Sequence, residues 1–245
     1  MKKMAVISSK GGVGKTTFSF HLSHLLAREG LRTLAVDMDP QGSLSFVFFG
    51  ANKRPGIPEI HQRRKVLPAP VNPLLSVLTT APSAADIRWE EAGLGDMLDS
   101  VIADWGVTPD WIVVDAPSSI TSATKSILKS VDFIVVPSDL TTLSLRGMVQ
   151  LLKLNPLPWK VLPMRIVPTQ RNTAEGRARL LEALTSRNLD PADYILPDIT
   201  RRVAVDHAMS ASVPVWQEKR YRDSQAIGEF TNAIHAVAGI SGSMQ

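Results

Sequence analysis

Short apolar runs alternate along the chain with stretches whose apolar residues recur at helical spacing. The runs predict buried strands over Lys3–Ser8, Leu31–Val36, Leu75–Leu78, Trp111–Val114, Phe133–Val136 and Val161–Val167. The helical spacing predicts helices over 18–28, 86–105, 120–130, 141–153, 173–187, 201–210 and 223–238. Strands that alternate with helices predict an α/β fold: a three-layer, doubly wound, mostly parallel sheet with helices on both faces.

One segment, residues 51–73, departs from this alternation. It contains five prolines and five basic side chains: Pro55, Pro58, Pro68, Pro70, Pro73, Lys53, Arg54, Arg63, Arg64 and Lys65. We interpret it as a basic, proline-rich excursion between core elements. The length of 245 residues favours one large α/β domain over two small ones, so we expect a single domain over 1–245.

Composition removes several classes of site. The chain has no cysteine, which excludes disulfides, thiolate chemistry, Cys-ligated zinc and iron–sulfur clusters within it. It has no run of 18 apolar residues, so we expect no transmembrane helix and a cytoplasmic protein. The net charge of +4 arises after residue 140, because residues 1–140 hold 14 basic and 14 acidic side chains, whereas 141–245 hold 13 and 9. A basic second half suggests a polyanionic partner.

A glycine-rich segment joins the first predicted strand to the first predicted helix. It reads Ser9-Lys10-Gly11-Gly12-Val13-Gly14-Lys15-Thr16-Thr17. Glycines let backbone N–H groups turn towards phosphate oxygens, and a helix N-terminus adds partial positive charge. The segment therefore predicts a nucleotide-phosphate site, in which Lys15 contacts the β- and γ-phosphates, Thr16 ligates Mg²⁺ and Thr17 lies near the α-phosphate. Ser9 stands where the usual pattern has its first glycine, and Lys10 is an additional cation.

Acidic residues follow two other predicted strands. Asp37 and Asp39 come after the second strand and Asp115 ends the strand at Trp111–Val114. Ligands of parallel sheets bind beyond the carboxyl ends of the strands, so we expect these carboxylates near the glycine-rich loop. Each of them is also open to interpretation as a helix N-cap, where Asp is favoured.

The motifs together resemble those of the ParA/Soj/MinD ATPases. Lys10–Thr17 is similar to the family's deviant Walker A loop, Val36–Ser43 to its D-x-D-P-Q-G segment, and Ile112–Pro117 to its Walker B strand. Val135–Pro137 and Leu196–Val215 also resemble the family pattern. The resemblance covers nearly the full chain, least well at 51–73, and implies a P-loop NTPase fold that binds ATP and Mg²⁺ and hydrolyses ATP slowly.

The resemblance implies catalytic roles for Lys10, Lys15 and Asp39. Lys10 would reach the partner's phosphates across an ATP-sandwiched homodimer, although a solvated lysine at the edge of the loop is the alternative. Asp39 would orient the attacking water and lie close to Mg²⁺. Asp115 would hold Mg²⁺ through water, so that the implied metal set is Thr16, Asp39 and Asp115.

The remaining cofactor contacts are implied by position. The implied phosphate contacts are Gly11, Gly12, Val13, Gly14, Lys15, Thr16 and Thr17. The family holds adenine between two late loops, which here would supply Thr169, Pro197 and Asp198. Thr169 and Asp198 depart from the family's usual residues, which leaves the base contacts open.

Basic residues near the C-terminus resemble those through which dimeric ParA/Soj proteins bind DNA without sequence preference. They are Arg201, Arg202, Lys219, Arg220 and Arg222. Cations along one face of a dimer would follow phosphates and give salt-sensitive affinity. Solvated surface charge is the alternative, and for Arg202 and Arg220 the two interpretations carry equal weight.

The resemblance is strongest to short ParA/Soj proteins that lack an N-terminal helix-turn-helix. It implies a nucleoid-associated ATPase that dimerises with ATP, binds nonspecific DNA and positions a plasmid, chromosome origin or protein assembly through a ParB-like or other small adaptor that stimulates hydrolysis. One alternative is a MinD-like membrane ATPase, but no Lys or Arg follows Arg222, so we expect a core-packed last helix and no membrane binding. Another alternative is a nucleotide-gated binding module with little turnover.

Overall fold

The computed structural model describes residues 1–154, 157–165 and 170–240, with the backbone alone at 165 and 170–173. The strands are β1 (Lys2–Val6), β2 (Thr33–Asp37), β3 (Ala69–Asn72), β4 (Leu75–Leu78), β5 (Trp111–Asp115), β6 (Phe133–Ser138), β7 (Trp159–Arg165) and β8 (Ile199–Thr200). The helices are α1 (Lys15–Arg28), α2 (Ser43–Phe49), α3 (Ile57–His61), α4 (Trp89–Ala92), α5 (Leu94–Trp105), α6 (Ser122–Ser130), α7 (Thr142–Leu152), α8 (Gln170–Thr185), α9 (Pro191–Tyr194), α10 (Val203–Ser210) and α11 (Ser224–Ala238).

The strands form one sheet in the order β3-β4-β2-β5-β1-β6-β7-β8. Every neighbouring pair is parallel except β3 with β4, which is antiparallel. Asp115 pairs in register with Val6 on one side and with Asp37 on the other. The carboxyl ends of β1, β2 and β5 therefore lie side by side, and the predicted doubly wound α/β fold is confirmed.

Helices cover both faces of the sheet because alternate strand residues point to opposite faces. On one face, residues such as Ala5 and Val114 pack with Leu98 of α5 and Ile127 of α6. On the other face, Met4, Val6 and Val113 pack against α1, α10 and α11. Phe18 and Phe230 are fully buried in this second layer, so α11 is part of the core, as predicted for the last helix.

The long helix predicted over 86–105 is wrong. The structure has α4 and α5 instead, because Gly93 adopts a φ of +60° and breaks the helical path between them. Asp86 belongs to a short 3₁₀ turn over Pro82–Asp86 that precedes α4.

The excursion at 51–73 carries two elements that the sequence pattern did not predict. They are α3 and β3, and β3 joins the sheet at its edge beside β4. Pro70 lies in this strand, a position that proline tolerates at a sheet edge because no neighbour needs its missing N–H. The short elements α2 and β8 were also not predicted. Residues 166–167 of the predicted strand Val161–Val167 lie outside the described residues.

Candidate nucleotide site

The glycine-rich loop curls between the end of β1 and the start of α1. Gly12 and Gly14 have φ values of +73° and +87°, which glycine adopts without the steric cost that a Cβ atom brings. At Gly14 a Cβ atom would also lie 2.6 Å from Cε of Met164. Gly14 is the N-cap of α1, so the first free N–H groups of this helix face the loop's concave side.

Lys15 points into the centre of this loop. The side chain is buried, and its ammonium donates hydrogen bonds to Ser118 Oγ at 2.9 Å and to the Lys10 carbonyl at 3.4 Å. Burial lowers the pKa of Lys15, whereas the carboxylates of Asp115 and Asp39 act in the opposite direction. A cation held inside a ring of backbone amides is suited to bind the terminal phosphates of a nucleotide.

Asp115 lies beneath the loop and is fully buried. Its carboxylate accepts hydrogen bonds from Thr16 Oγ1 at 2.7 Å and from Ser19 Oγ at 2.9 Å. Burial raises the pKa of Asp115 to about 6, although these hydrogen bonds and Lys15 favour the charged form. A cation bound nearby would stabilise the ionised carboxylate.

Asp37 and Asp39 have different environments. Asp37 is fully buried and accepts hydrogen bonds from the N–H and the hydroxyl of Ser45, each at 2.7 Å. Burial, reinforced by the charge of Asp115, raises the pKa of Asp37 to about 7. Asp39 is half-buried, lines the cavity beside the loop, and accepts the Gln41 N–H at 3.0 Å. Asp37 therefore anchors α2, whereas Asp39 faces the space where a ligand would lie.

The predicted metal residues Thr16, Asp39 and Asp115 are brought to one place. Hydroxyl and carboxylate oxygens are the donors that Mg²⁺ prefers, and the raised pKa of Asp115 indicates a carboxylate that gains from a nearby cation. The donor set therefore fits Mg²⁺. Within the described residues there is no group of three or more His, Asp or Glu side chains arranged to hold a metal by themselves.

Lys10 is folded back onto its own chain. Its ammonium lies 2.5 Å from Asp139 Oδ2 and 3.5 Å from Thr141 Oγ1, beyond the end of β6. Burial alone would raise the pKa of Asp139, but hydrogen bonds from Lys10, Ser144 and Thr141 outweigh it and lower that pKa below its ordinary value. In the described chain Lys10 is thus an ion-paired residue.

A cavity of about 500 Å³ extends from the loop towards the C-terminal half. Its far wall combines the apolar residues Met164, Ile199, Val205, Met209 and Phe230 with Thr200, Arg201 and Asp206. Apolar walls with a few polar groups are typical of pockets that take a flat heterocycle.

Of the three late-loop residues predicted to contact adenine, two lie outside the cavity wall and the third lies outside the described residues. Thr169 lies outside the described residues. Pro197 is exposed and Asp198 half-buried, and neither belongs to the cavity wall. The Asp198 carboxylate instead accepts a hydrogen bond from Arg177 at 2.6 Å.

The predicted DNA-binding cations fall into two groups. Arg202 is half-buried, with its guanidinium 3.2 Å from Glu229 and 3.6 Å from Asp223, while Arg201 lies 3.4 Å from Asp206. Lys219, Arg220 and Arg222 are exposed beside the start of α11, and the Arg220 guanidinium stacks 5.3 Å from the Tyr221 ring.

Sequence reasoning missed several residues of this site. Ser118 and Asp139 could have been found, because both lie just beyond the carboxyl ends of β5 and β6, where the same rule had located Asp37 and Asp115. Met164, Val205 and Met209 had no such signal, since an apolar residue that lines a cavity has the same pattern as one in the core.

The chain is similar to several known proteins. A family model described as an AAA domain matches residues 1–156. The chromosome-partitioning ATPase Soj of Thermus thermophilus is 32% identical over 154 residues, which cover 62% of this chain and 60% of that protein. The chain thus aligns with less than two thirds of the length of such curated relatives.

Solved structures share the fold over the whole chain. An ATP complex of a McdA variant from Cyanothece superposes with a TM-score of 0.81 at 19% identity, covering 100% of this chain and 99% of the other. MinD of Pyrococcus horikoshii in complex with Mg-ADP gives a TM-score of 0.78 at 20% identity and covers 99% of both chains. At this level of identity the likeness shows a common fold.

Proposed function

Because the chain belongs to the ParA/Soj/MinD family of P-loop ATPases, we propose that it binds ATP with Mg²⁺ and hydrolyses it. The observation that supports this most directly is the convergence of Lys15, Asp39 and the Thr16–Asp115 hydrogen bond at one edge of the sheet. Backbone amides of Gly11–Thr17 and the Lys15 ammonium would hold the phosphates. The apolar far wall of the cavity would hold the base.

Each polar residue has a separate task in this proposal. Lys15 neutralises charge on the terminal phosphates, and Asp39 orients the attacking water from its half-buried position at the cavity wall. Thr16, Asp39 and Asp115 would hold Mg²⁺, directly or through water, and the ion when bound supplies positive charge next to the reacting phosphate. Slow turnover, accelerated by a partner, would suit a protein that acts as a timer.

The second part of the proposal is an ATP-dependent homodimer in which Lys10 acts across the interface. In the single chain the Lys10 ammonium pairs with Asp139, and the side chain has an exposure of 38%, so it is accessible to a second copy of the chain. On dimerisation the Lys10 ammonium would leave Asp139 and pair with the phosphates of the partner's nucleotide. The exchange would link nucleotide state to assembly, because the γ-phosphate adds negative charge that competes with Asp139 for the lysine.

The third part is nonspecific DNA binding by the dimer and movement of a cargo through a ParB-like or other small adaptor. Lys219, Arg220 and Arg222 support this part, since all three are exposed and close together in sequence. Arg202 contributes less to such a surface because Glu229 and Asp223 already neutralise it. The relative Soj is a chromosome-partitioning ATPase, and we transfer this role to the chain as a proposal.

A MinD-like membrane anchor is less well supported. The apolar face of α11 is used inside the protein, where Phe230, Ala233 and Ile234 are fully buried. None of the helices in the described ranges is long and apolar enough to cross a bilayer.

Binding of a 30-base-pair duplex of arbitrary sequence tests the proposal, measured with no nucleotide, with ADP and with ATP plus Mg²⁺ at two salt concentrations. We expect the protein to bind the duplex only in the presence of ATP and Mg²⁺, with an affinity that falls steeply as the salt concentration rises. A Lys219→Glu/Arg220→Glu variant should lose binding while ATP affinity stays unchanged. Lys153→Glu changes an exposed cation at the end of α7, which packs on the opposite face of the sheet from α11, and should bind normally. Equal binding in all nucleotide states would contradict the proposal.

A further inference from the structure

A second cavity lies on the far side of α2 from the nucleotide site. Ser43 and Val47, one helical turn apart, line the nucleotide cavity, whereas Phe46 and Phe49 line the second one. The second cavity has a volume of about 440 Å³, and another cavity of about 390 Å³ is lined by Asp39 and Trp89. We call the cavity bounded by Phe46, Phe49, residues 50–54 and residues 79–82 the α2 groove.

The floor of the α2 groove is apolar and unusually open to solvent. Phe46 is 63% exposed although it belongs to a regular helix, and Phe49, Ala81 and Pro82 continue the apolar surface. Exposed aromatic residues next to a concave surface are typical of sites that another molecule covers.

The rim of the α2 groove is basic. Lys53 and Arg54 are exposed, and the Arg54 guanidinium lies 4.7 Å from the centre of the Phe49 ring. From Pro40 to Ala85 the chain contains five Lys and Arg residues and one acidic residue, Glu59. Glu59, the one acidic residue among the described residues that line the groove, accepts the Gly56 N–H at 2.8 Å and keeps its negative charge. Because Lys53 and Arg54 carry two positive charges, the groove lining keeps a positive excess.

The groove is built in advance of any occupant. Thr79 Oγ1 donates hydrogen bonds to the carbonyls of Arg54 and Pro55 at 3.2 and 3.3 Å, and the Ile57 N–H donates to the Thr79 carbonyl at 2.9 Å. Gly56 packs so closely on this strand end that a Cβ atom would lie 2.0 Å from the Thr79 carbonyl oxygen. A preformed site loses little conformational entropy when it binds.

We propose that the α2 groove is a docking site for an acidic segment of a partner protein, which inserts an apolar side chain over Phe46 and Phe49 and places carboxylates against Lys53 and Arg54. Charge complementarity favours an acidic occupant, and the apolar floor selects one with an apolar anchor. A cavity of this size takes one or two side chains, whereas a DNA duplex presents a wide, uniformly charged backbone with no apolar projection.

The occupant would lie against the loop that carries Asp39. Gln41 and Gly42 line the groove, and the Gly42 N–H donates to the Asp39 carbonyl at 2.8 Å. Ser45, also a groove residue, hydrogen-bonds both the Asp37 carboxylate and the Thr80 N–H. The docking itself needs no nucleotide, so its test is independent of ATP hydrolysis.

The probe is a fluorescein-labelled twelve-residue peptide, Glu-Asp-Phe-Glu-Leu-Glu repeated twice, titrated by fluorescence anisotropy into the full chain without nucleotide. Two control peptides separate the contributions, one with Gln and Asn in place of the acids and one with Ser in place of Phe and Leu. We expect the probe to bind at least about tenfold more tightly than either control, because charge and apolar contact are both needed. Equal binding of the Ser-containing control would overturn the proposal.

Substitutions in the α2 groove test whether the peptide binds there. Arg54→Glu and Phe46→Ser alter exposed side chains and should each weaken probe binding by about tenfold. Lys129→Glu, which changes the charge by the same amount in the last turn of α6, should bind like the wild type. Slower amide exchange over 46–54 and 79–82 on peptide addition should map the contact.

Three other outcomes would contradict the proposal. If a 30-base-pair duplex displaces the probe and itself loses affinity in Phe46→Ser, the groove binds nucleic acid. If sedimentation shows self-association that Phe46→Ser abolishes, a second copy of this chain covers the groove. If Arg54→Glu and Lys129→Glu weaken the probe equally, the peptide responds to overall charge alone.

Discussion

The two halves of the nucleotide cavity are built in different ways. The phosphate half comes from one continuous loop, Ser9–Thr17, and from carboxylates at the ends of neighbouring strands. The base half combines Met164, Ile199, Val205 and Met209, which come from three separate elements. Polar chemistry at strand ends is local and readable in the sequence, whereas an apolar wall depends on how distant elements pack.

Lys15→Ala should have the largest effect, and two ligands distinguish the two halves of the cavity, because ATP has a base and tripolyphosphate has none. Lys15→Ala removes the buried ammonium from the centre of the loop, so we expect ATP affinity to fall by about a hundredfold or more. Affinity for inorganic tripolyphosphate, which has no base, should fall in parallel. Isothermal titration of both ligands measures this, with Lys125→Ala on exposed α6 surface as the matched control. Unchanged tripolyphosphate affinity would break the assignment of the phosphate half.

His21 joins α1 to the chain at Val215 behind the cavity, and its effect on stability should depend on pH. Nδ1 lies 2.7 Å from the Thr17 carbonyl in α1, and Nε2 accepts the Val215 N–H at 3.0 Å, which requires the neutral tautomer with hydrogen on Nδ1. Burial lowers the pKa of His21 to about 4 from an ordinary 6.5. The folded state therefore resists protonation, and stability present above pH 6.5 is lost as the pH falls towards 4.

A comparison with His21→Gln isolates this contribution from the other titrating groups. The free energy of unfolding of the wild type minus that of the variant should fall by up to about 3 kcal/mol between pH 6.5 and pH 4. The raised pKa values of Asp37 and Asp115 act with the opposite sign but cancel in this difference. Urea unfolding at several pH values gives the result, and a difference that stays constant with pH would show that burial does not lower the pKa of His21.

An intermediate effect is expected for the base half. Met209→Ala should weaken ATP binding by about tenfold, because it removes apolar contact area from the far wall. Tripolyphosphate affinity should stay at the wild-type value, in contrast to Lys15→Ala. Loss of affinity for both ligands would mean that the two halves are not separable.

The smallest effect concerns the pair that restrains Lys10. Asp139→Asn removes the charge that holds the ammonium, so the ATP-dependent dimer should form at a protein concentration about threefold lower. Light scattering across a concentration series measures this, and the monomer's ATP affinity should not change. A dimer that needs more protein in Asp139→Asn would show that Asp139 supports the interface.

The structure brings Lys15, Thr16, Asp39 and Asp115 to one place, as the sequence predicted, and the reason is physical. A loop that binds phosphate needs glycines and a lysine at fixed spacing. Asp37 and Asp115 end their strands, and the ends of parallel strands are where ligands bind. The fold class followed from the alternation of strands and helices. The single-domain prediction and the roles of individual site residues stay predictions.

The elements that escaped prediction are short or lack periodicity. Helix α2, Ser43–Phe49, is largely apolar all round and has no helical stripe, while β8 has two residues. The break at Gly93 was hidden because apolar residues keep helical spacing on both sides of it. The basic excursion has charged side chains but no periodic pattern of apolar residues, so the sequence did not predict the groove beside it.

We propose that the phosphate half hydrolyses ATP with Asp39 as the residue that orients water. ATP affinity and single-turnover hydrolysis, measured side by side for the wild type and Asp39→Ala, test this proposal. We expect ATP affinity within about threefold of the wild type and hydrolysis slowed by about a hundredfold, because the carboxylate acts after binding. Hydrolysis at the wild-type rate in Asp39→Ala would contradict it.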